Sequence, residues 1–183
     1  IVLASDILSE AAMIEGLDVK KSEIHGMAMR GGPVFSHVRF GQLVFAPVIS
    51  QGEANVLFSL ESMEVLRWAK WAHADAAVCY LAHHITPTGI EIYPEGIDRE
   101  ISMSFKRTVC LDPVLLKQRM DSPKTENTAL LGALSPLVPL KEDSFLSAIE
   151  KNCPSGTIEM NTNAFRIGRQ ITLEQKLELP HVE

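Results

Sequence analysis

Residues 22–40 read Ser22-Glu23-Ile24-His25-Gly26-Met27-Ala28-Met29-Arg30-Gly31-Gly32-Pro33-Val34-Phe35-Ser36-His37-Val38-Arg39-Phe40 and join a glycine-rich loop to a strand-like segment. Glycine permits positive φ and close approach of another surface, and Pro33 fixes the backbone where the loop ends. An ordinary surface turn does not need so many basic, imidazole and glycine residues. We therefore predict a polar contact site composed of His25, Gly26, Met27, Arg30, Gly31, Gly32, His37 and Arg39.

The strand-like half of this stretch has two different faces, because its side chains alternate. Gly41-Gln42 has the glycine-first pattern of a two-residue hairpin turn, so residues 43–49 are predicted to return as a second strand. The loop would then lie at one end of a rigid hairpin. One face of the first strand carries Val34, Ser36, Val38 and Phe40, and the other carries Phe35, His37 and Arg39.

Two interpretations of the loop remain open at this point. It is either a solvated turn whose charges serve solubility, or a polar surface that contacts an anion, the edge of a cofactor or a partner subunit. Neither a nucleophile–base pair nor a pair of carboxylates accompanies the glycines, so no catalytic residue is assigned.

Length and composition indicate a single folded domain over residues 1–183, because 46% of the residues are hydrophobic. The formal net charge is -6, from 17 basic and 23 acidic residues, which argues against nucleic acid as a partner. No apolar run reaches the length of a membrane span, and no signal segment is visible. A cytoplasmic location without membrane attachment is therefore expected.

The cysteine pattern limits the metal chemistry that this chain could support. The three cysteines, Cys79, Cys110 and Cys153, are far apart in the sequence and form no C-x-x-C pair. A conventional all-thiolate iron–sulfur cluster needs four cysteines, so we expect no cluster and no cysteine-rich zinc site on this chain. Buried thiols in a reducing compartment are the simplest expectation.

The adjacent His83 and His84 would point in opposite directions in an extended chain, which disfavours a shared metal ion.

Helical and strand-like segments alternate through the middle of the chain, which favours an α/β fold with helices on both faces of a sheet. The hairpin adds antiparallel strands, so we expect a three-layer sandwich with a mixed β-sheet. The apolar segment 127–137 is predicted to be a buried helix in which Gly132 allows close packing. Helices are predicted over 1–15, 61–73, 113–120, 127–137, 141–151 and 157–176, and strands over 17–24, 34–40, 43–49, 55–60, 76–81 and 107–111.

Several blocks of the sequence resemble one family. The run from Glu23 to Gly32 is similar to the G-M-A-Q-R-G-G signature of the gamma-subunit family of 2-oxoacid:ferredoxin oxidoreductases. Within that family the chain most resembles the beta subunits of indolepyruvate:ferredoxin oxidoreductases, over about residues 1–170. Further matching blocks are 1–5, 36–41, 130–134 and 161–168.

The resemblance implies a non-catalytic subunit with a Rossmann-like, three-layer α/β fold. The family enzyme oxidatively decarboxylates a 2-oxoacid to an acyl-CoA and passes electrons to ferredoxin. Thiamine diphosphate and the iron–sulfur clusters would lie in a large alpha subunit, with CoA as a co-substrate of the complex. The predicted contact site would then face the large subunit or CoA. Arginine suits the phosphates of CoA, because its guanidinium group can bind two oxygens at once.

The sequence departs from the family pattern in two ways. The G-x-G-G-Q-G turn and the strand before it are absent, and the sequence opens at Ile1 inside a predicted helix, so an N-terminal segment is expected to be missing. Met29 stands where the family has glutamine, which removes an amide from the loop. The alternative hypothesis is a free-standing nucleotide- or CoA-binding module on a Rossmann-like scaffold, weakened by the missing glycine-rich turn.

Overall fold

A computed structural model describes residues 1–25, 34–86, 89, 92–120 and 122–178, and in these residues the chain forms seven α-helices and five strands. Single turns of 3-10 helix flank several of the helices. In chain order the elements are α1 (Val2–Ile14), β1 (Asp18–His25), β2 (Val34–Gly41), β3 (Ala54–Ser59), α2 (Ser62–Trp68), β4 (Ala72–Leu81), α3 (Ile97–Ser104), β5 (Arg107–Leu111), α4 (Pro113–Arg119), α5 (Glu126–Leu134), α6 (Glu142–Asn152) and α7 (Ile158–Glu178).

The five described strands form two sheets. β1 and β2 are an antiparallel pair, while β3, β4 and β5 form a parallel sheet in that order. The α/β class with both parallel and antiparallel strands is confirmed, but the expected single mixed sheet is divided between β2 and β3. Parallel strands require crossover connections, and α2 provides the one between β3 and β4.

β2 forms a hairpin, but its partner strand is not the one predicted. β2 pairs with β1, from Asp18 opposite Gly41 to His25 opposite Val34, and residues 43–49 form no strand. The predicted turn at Gly41-Gln42 was therefore wrong, because β1 supplies the hydrogen-bonding partner that the returning segment was expected to supply. The glycine-rich loop connects the two paired strands, and residues 26–33 lie outside the described part of the chain.

Helices cover both faces of the parallel sheet, which gives the expected three layers. On one face, Cys79 and Leu81 of β4 pack in the main core with residues of α1, α5, α6 and α7. On the other face, Val78 and Tyr80 pack with Val65 of α2 and Ile101 of α3. Because neighbouring residues of β4 point to opposite faces, the buried residues from Ala76 to Leu81 pack alternately against the helices on the two sides of the sheet.

The expected all-round burial of the helix near residue 130 is confirmed. Residues Thr128 to Leu134 of α5 are all buried, mainly against α7. The predicted helix at residues 113–120 is present as α4, and Asp112 caps it, since its carboxylate accepts a hydrogen bond from the Val114 N–H at 2.7 Å, with Pro113 in the first turn.

Two parts of the fold differ from the sequence-based expectation. α2 ends at Trp68 and β4 already begins at Ala72, so the predicted helix was too long and the predicted strand too short. α3 was missed, because its eight residues carry only Ile97 and Ile101 at a helical spacing toward the core. None of the described helices combines the length and apolar character needed to cross a bilayer.

Candidate functional site

The described part of the predicted contact site lies on β2. Of the eight residues proposed from the sequence, His37 and Arg39 have described side chains, and His25 is described only as the last residue of β1. Gly26, Met27, Arg30, Gly31 and Gly32 lie outside the described residues. His37 and Arg39 point to the same face of the hairpin, opposite the face that packs on α1.

A segment without regular hydrogen-bonded structure, residues 42–53, crosses this face, and we call it the strap. The Nδ1 atom of His37 accepts a hydrogen bond from the Ile49 N–H at 3.0 Å. Because Nδ1 is an acceptor here, the neutral ring carries its proton on Nε2. Burial also lowers the pKa of His37, which favours the same neutral form. His37 is thus a neutral anchor for the strap.

Arg39 and Asp18 hold the strap at two further points. The Arg39 guanidinium donates to the Val48 carbonyl at 3.0 Å and lies 3.8 Å from the Glu53 carboxylate. The Asp18 carboxylate accepts from the Val44 N–H at 2.9 Å, and its hydrogen bond to Lys20 is the main cause of its lowered pKa. The basic residues predicted as a free contact surface therefore also fix the chain's own strap.

The strap presents large apolar side chains to solvent. Leu43 is 66% exposed, Phe45 is 89% exposed and Val48 is 57% exposed. Its backbone groups at Val44, Val48 and Ile49 are bound by side chains of the hairpin. Large exposed apolar residues grouped in one short segment are typical of surfaces that contact other molecules. Arg39 retains capacity for such contacts, because within the described residues its Nε and second terminal nitrogen make no hydrogen bond.

A large cavity lies beside the strap, between β2 and β3. Its volume is about 1090 Å³, and it is lined by residues of both strands, of the strap and of α2. Aromatic rings form one wall: Phe35 packs on Trp68 with 4.2 Å between ring centroids, and Trp68 packs on Trp71 at 4.7 Å. Both tryptophans of the chain line this cavity.

A second polar cluster follows the carboxyl ends of β3 and β4, and the sequence did not reveal it. Glu61 caps α2 by accepting from the Glu64 N–H at 2.9 Å, and its other oxygen accepts from the Tyr93 hydroxyl at 2.6 Å. Tyr93 stacks on His84 with 4.5 Å between centroids. The only local signal was an acidic residue directly after a buried strand, whereas Tyr93 is contributed by a distant loop.

The two adjacent histidines have separate partners, as their opposite orientation predicts. His83 Nε2 lies 2.7 Å from Glu126, and His84 Nε2 lies 2.8 Å from Asp98. Among the described residues, no three histidine, cysteine or acidic side chains are grouped so that they could hold a metal ion. The three cysteines are free thiols, with Cys79 and Cys153 buried.

Comparison with known sequences identifies relatives over nearly the whole chain. The profile of the family described as pyruvate ferredoxin/flavodoxin oxidoreductase matches residues 1–171. The indolepyruvate oxidoreductase subunit IorB of Thermococcus kodakarensis is 32% identical over 177 residues, covering 92% of this chain and 88% of that protein.

Solved structures share the fold at lower sequence identity. The gamma subunit of a keto/oxoacid ferredoxin oxidoreductase from Geobacter sulfurreducens superposes with a TM-score of 0.69 at 18% identity, covering 94% of this chain and 91% of that one. A 2-oxoglutarate:ferredoxin oxidoreductase from Magnetococcus marinus gives 0.70 at 18% identity, covering 95% of this chain and 29% of the longer one. The sequence matches extend over most of the chain, and by them this protein belongs to the pyruvate ferredoxin/flavodoxin oxidoreductase family.

Proposed function

We propose that this chain is the non-catalytic, gamma-type subunit of an indolepyruvate or related 2-oxoacid:ferredoxin oxidoreductase. Such a complex oxidatively decarboxylates a 2-oxoacid to an acyl-CoA and reduces ferredoxin. The observation that carries the proposal is the 32% identity to an indolepyruvate oxidoreductase subunit over 92% of the chain. In this proposal residues 1–183 act as one gamma-type domain, located in the cytoplasm, where the free thiols would stay reduced.

The chemistry of the proposed complex resides in another chain. A large alpha subunit would hold thiamine diphosphate and the iron–sulfur clusters, and ferredoxin would accept electrons from that subunit. The three cysteines of this chain are one short of a conventional all-thiolate cluster. This chain would contribute shape and contacts rather than a reacting group.

The proposed contact face consists of the glycine-rich loop, the adjoining face of β2 and the strap. The residues assigned to it from the sequence are His25, Gly26, Met27, Arg30, Gly31, Gly32, His37 and Arg39. The exposure of Leu43, Phe45 and Val48 supports this assignment, because their apolar surface lies in solvent in the isolated chain. Arg39 is the described residue best suited to a phosphate of CoA or a carboxylate of the large subunit.

Reconstitution from separately expressed chains tests the proposal. The large subunit, loaded with thiamine diphosphate and iron–sulfur clusters, is expected to reduce ferredoxin with a 2-oxoacid and CoA only when this chain is added. Full turnover by the large subunit alone would contradict the proposed role. Calorimetry of the isolated chain with CoA separates the alternative, because tight binding without any partner would favour a free-standing CoA-binding module.

A pair of surface variants tests the contact face itself. Phe45→Ser removes an 89% exposed ring from the strap, and Met103→Ser removes a 77% exposed side chain from α3 as a matched control. Phe45→Ser is expected to weaken capture of the large subunit by about tenfold or more, equivalent to at least about 1.4 kcal/mol. The control is expected to bind like the unmodified chain. Equal capture of both variants would place the interface elsewhere.

A further inference from the structure

Three parts of the fold meet at one edge of the molecule, which we call the carboxyl edge. The parallel strands β3, β4 and β5 have their carboxyl ends there. Ile1, which precedes α1, lines a small cavity together with Leu60, the residue after β3, so α1 begins at the same edge. The Oγ atoms of Ser5 in α1 and Ser36 in β2 are 3.5 Å apart, which places the start of β2 at this edge too.

Large apolar side chains are concentrated at the carboxyl edge. Of the 13 that are exposed in the described part of the chain, six lie here and three lie in the strap. The six are Val2 at the start of α1, Ile24 and Val34 at the end of the hairpin that adjoins the glycine-rich loop, Ile85 and Ile92 between β4 and α3, and Val114 at the start of α4. Single exposed apolar residues are normal on a protein surface, whereas a group that follows one edge indicates a contact surface.

Carboxylates at the same edge are already bound within the chain. Glu126 lies 2.7 Å from His83, and Asp98 lies 2.8 Å from His84. A strongly charged partner surface would compete with these pairs, whereas an uncharged apolar surface would leave them intact. The edge is therefore complementary to an apolar partner.

The segment that carries Ile85 and Ile92 is anchored by Glu61, the N-cap residue of α2. One carboxylate oxygen of Glu61 accepts from the Tyr93 hydroxyl at 2.6 Å and from the Ile85 N–H at 3.4 Å. Tyr93, which follows Ile92, also stacks on His84 with 4.5 Å between ring centroids. Each isoleucine thus lies at or beside an anchored residue, and side chains that are fixed before binding lose less entropy on binding.

We propose that the carboxyl edge docks an uncharged, apolar surface of the large subunit, with Ile85 and Ile92 as its main anchors. Ile85 is 64% exposed and Ile92 is 79% exposed in the isolated chain. The inference rests on the proposed function and extends its contact face. Ile24 and Val34 flank the glycine-rich loop in the sequence, so the apolar edge is continuous with the face already assigned to the large subunit.

The test measures the Kd of the full chain for the immobilised large subunit, and compares Ile85→Ser and Ile92→Ser with Ile14→Ser. All three replace an exposed isoleucine, but Ile14 ends α1, about 20 Å from the carboxyl edge at 1.5 Å per residue. Ile85→Ser and Ile92→Ser are each expected to raise the Kd by about tenfold or more, because each removes a buried anchor of the interface. Ile14→Ser is expected to bind like the unmodified chain.

Hydrogen exchange of the unmodified chain gives a second measurement that does not depend on how the variants fold. Addition of the large subunit is expected to slow exchange in a peptide covering residues 92–101 by about threefold or more, and to leave a peptide covering residues 10–17 unchanged. Unchanged exchange in residues 92–101, or an unchanged Kd of Ile92→Ser, would overturn docking at this edge while binding of the unmodified chain upholds the proposed function. Failure of the unmodified chain to bind the large subunit would instead contradict the proposed function, and this inference with it.

Discussion

Gly132 of α5 and Gly168 of α7 each lie against the backbone of the other helix. A Cβ atom at Gly132 would be 1.9 Å from the Phe165 carbonyl oxygen, and one at Gly168 would be 1.7 Å from the Ala129 carbonyl oxygen. The two positions therefore form one reciprocal contact at the crossing of the helices. Any side chain at either position requires the helices to separate, which disturbs the main core.

We expect Gly132→Ala and Gly168→Ala each to destabilise the protein by several kcal/mol. Alanine is a better helix former than glycine by about 1 kcal/mol, but the overlap with backbone atoms outweighs that gain. Gly156→Ala is the control, because a Cβ there meets no atom within 4 Å. Chemical denaturation measures all three variants, and unchanged stability of Gly132→Ala would contradict the close helix packing.

The protonation of His37 is expected to release the strap in acid. Its folded pKa lies below the usual value of about 6.5, so below that pH the unfolded chain binds more protons and the folded state loses stability as pH falls. His37→Asn keeps an acceptor for the Ile49 N–H without a titrating ring. The unfolding free energy of the unmodified chain should therefore fall more steeply than that of His37→Asn between about pH 7 and pH 5.

Hydrogen exchange of residues 44–49, measured over the same pH range, tests directly whether the strap is released. Exchange of the Ile49 amide should accelerate in acid in the unmodified chain, after correction for the intrinsic rate, and should change less in His37→Asn. A pH profile that is the same for both proteins would show that another group holds the strap.

Tyr93→Phe is expected to destabilise the protein by about 1–3 kcal/mol. The Tyr93 hydroxyl donates to the Glu61 carboxylate at 2.6 Å and accepts from the Met63 N–H at 3.0 Å. Loss of the hydroxyl therefore removes one hydrogen bond from the carboxylate and one from the N–H group. Burial, followed by the hydrogen bond to Glu61, raises the pKa of Tyr93. Thermal unfolding of Tyr93→Phe is compared with that of Ser102→Ala, whose exposed hydroxyl donates to the Arg99 carbonyl of its own helix at 2.8 Å. Equal melting temperatures would contradict the anchoring role of Tyr93.

The three thiols are expected to react slowly with Ellman's reagent in the folded protein. Burial raises the pKa of Cys79, Cys110 and Cys153, so the reactive thiolate is scarce, and Cys79 is fully inaccessible. All three should react at once in denaturant. Rapid reaction of Cys79 or Cys153 in the native protein would show that the core opens locally.

Much of the local structure followed from the sequence. The apolar runs around β3 and β4, the Asp112-Pro113 start of α4 and the all-round apolar α5 each carry a short-range pattern, and all four elements are present, although β4 begins four residues earlier than predicted and α5 ends at Leu134. The strand predicted at residues 43–49 is absent, because the glycine-first pattern of Gly41-Gln42 suggests a turn but does not establish which segment pairs with β2. In the structure the partner of β2 is β1, and residues 43–49 are held by side chains of Asp18, His37 and Arg39.

The same distinction between local patterns and long-range contacts applies to the candidate site. The sequence identified His37 and Arg39 as exceptional, because two basic side chains follow three glycines within one short run. It could not reveal that both side chains bind the strap, nor that Tyr93 hydrogen-bonds Glu61 from 32 positions away and stacks on His84. Such contacts depend on where distant loops cross the sheet, and no local pattern encodes that.

By itself the sequence determined most element types, the α/β class and the family, because periodicity, caps and motifs are short-range properties of the chain. Only the tertiary structure decided which strands pair, where the sheet is interrupted and which polar groups meet. Those features arise from long-range packing of helices on both sides of the strands, where the burial of each face and the geometric fit of distant segments select one arrangement.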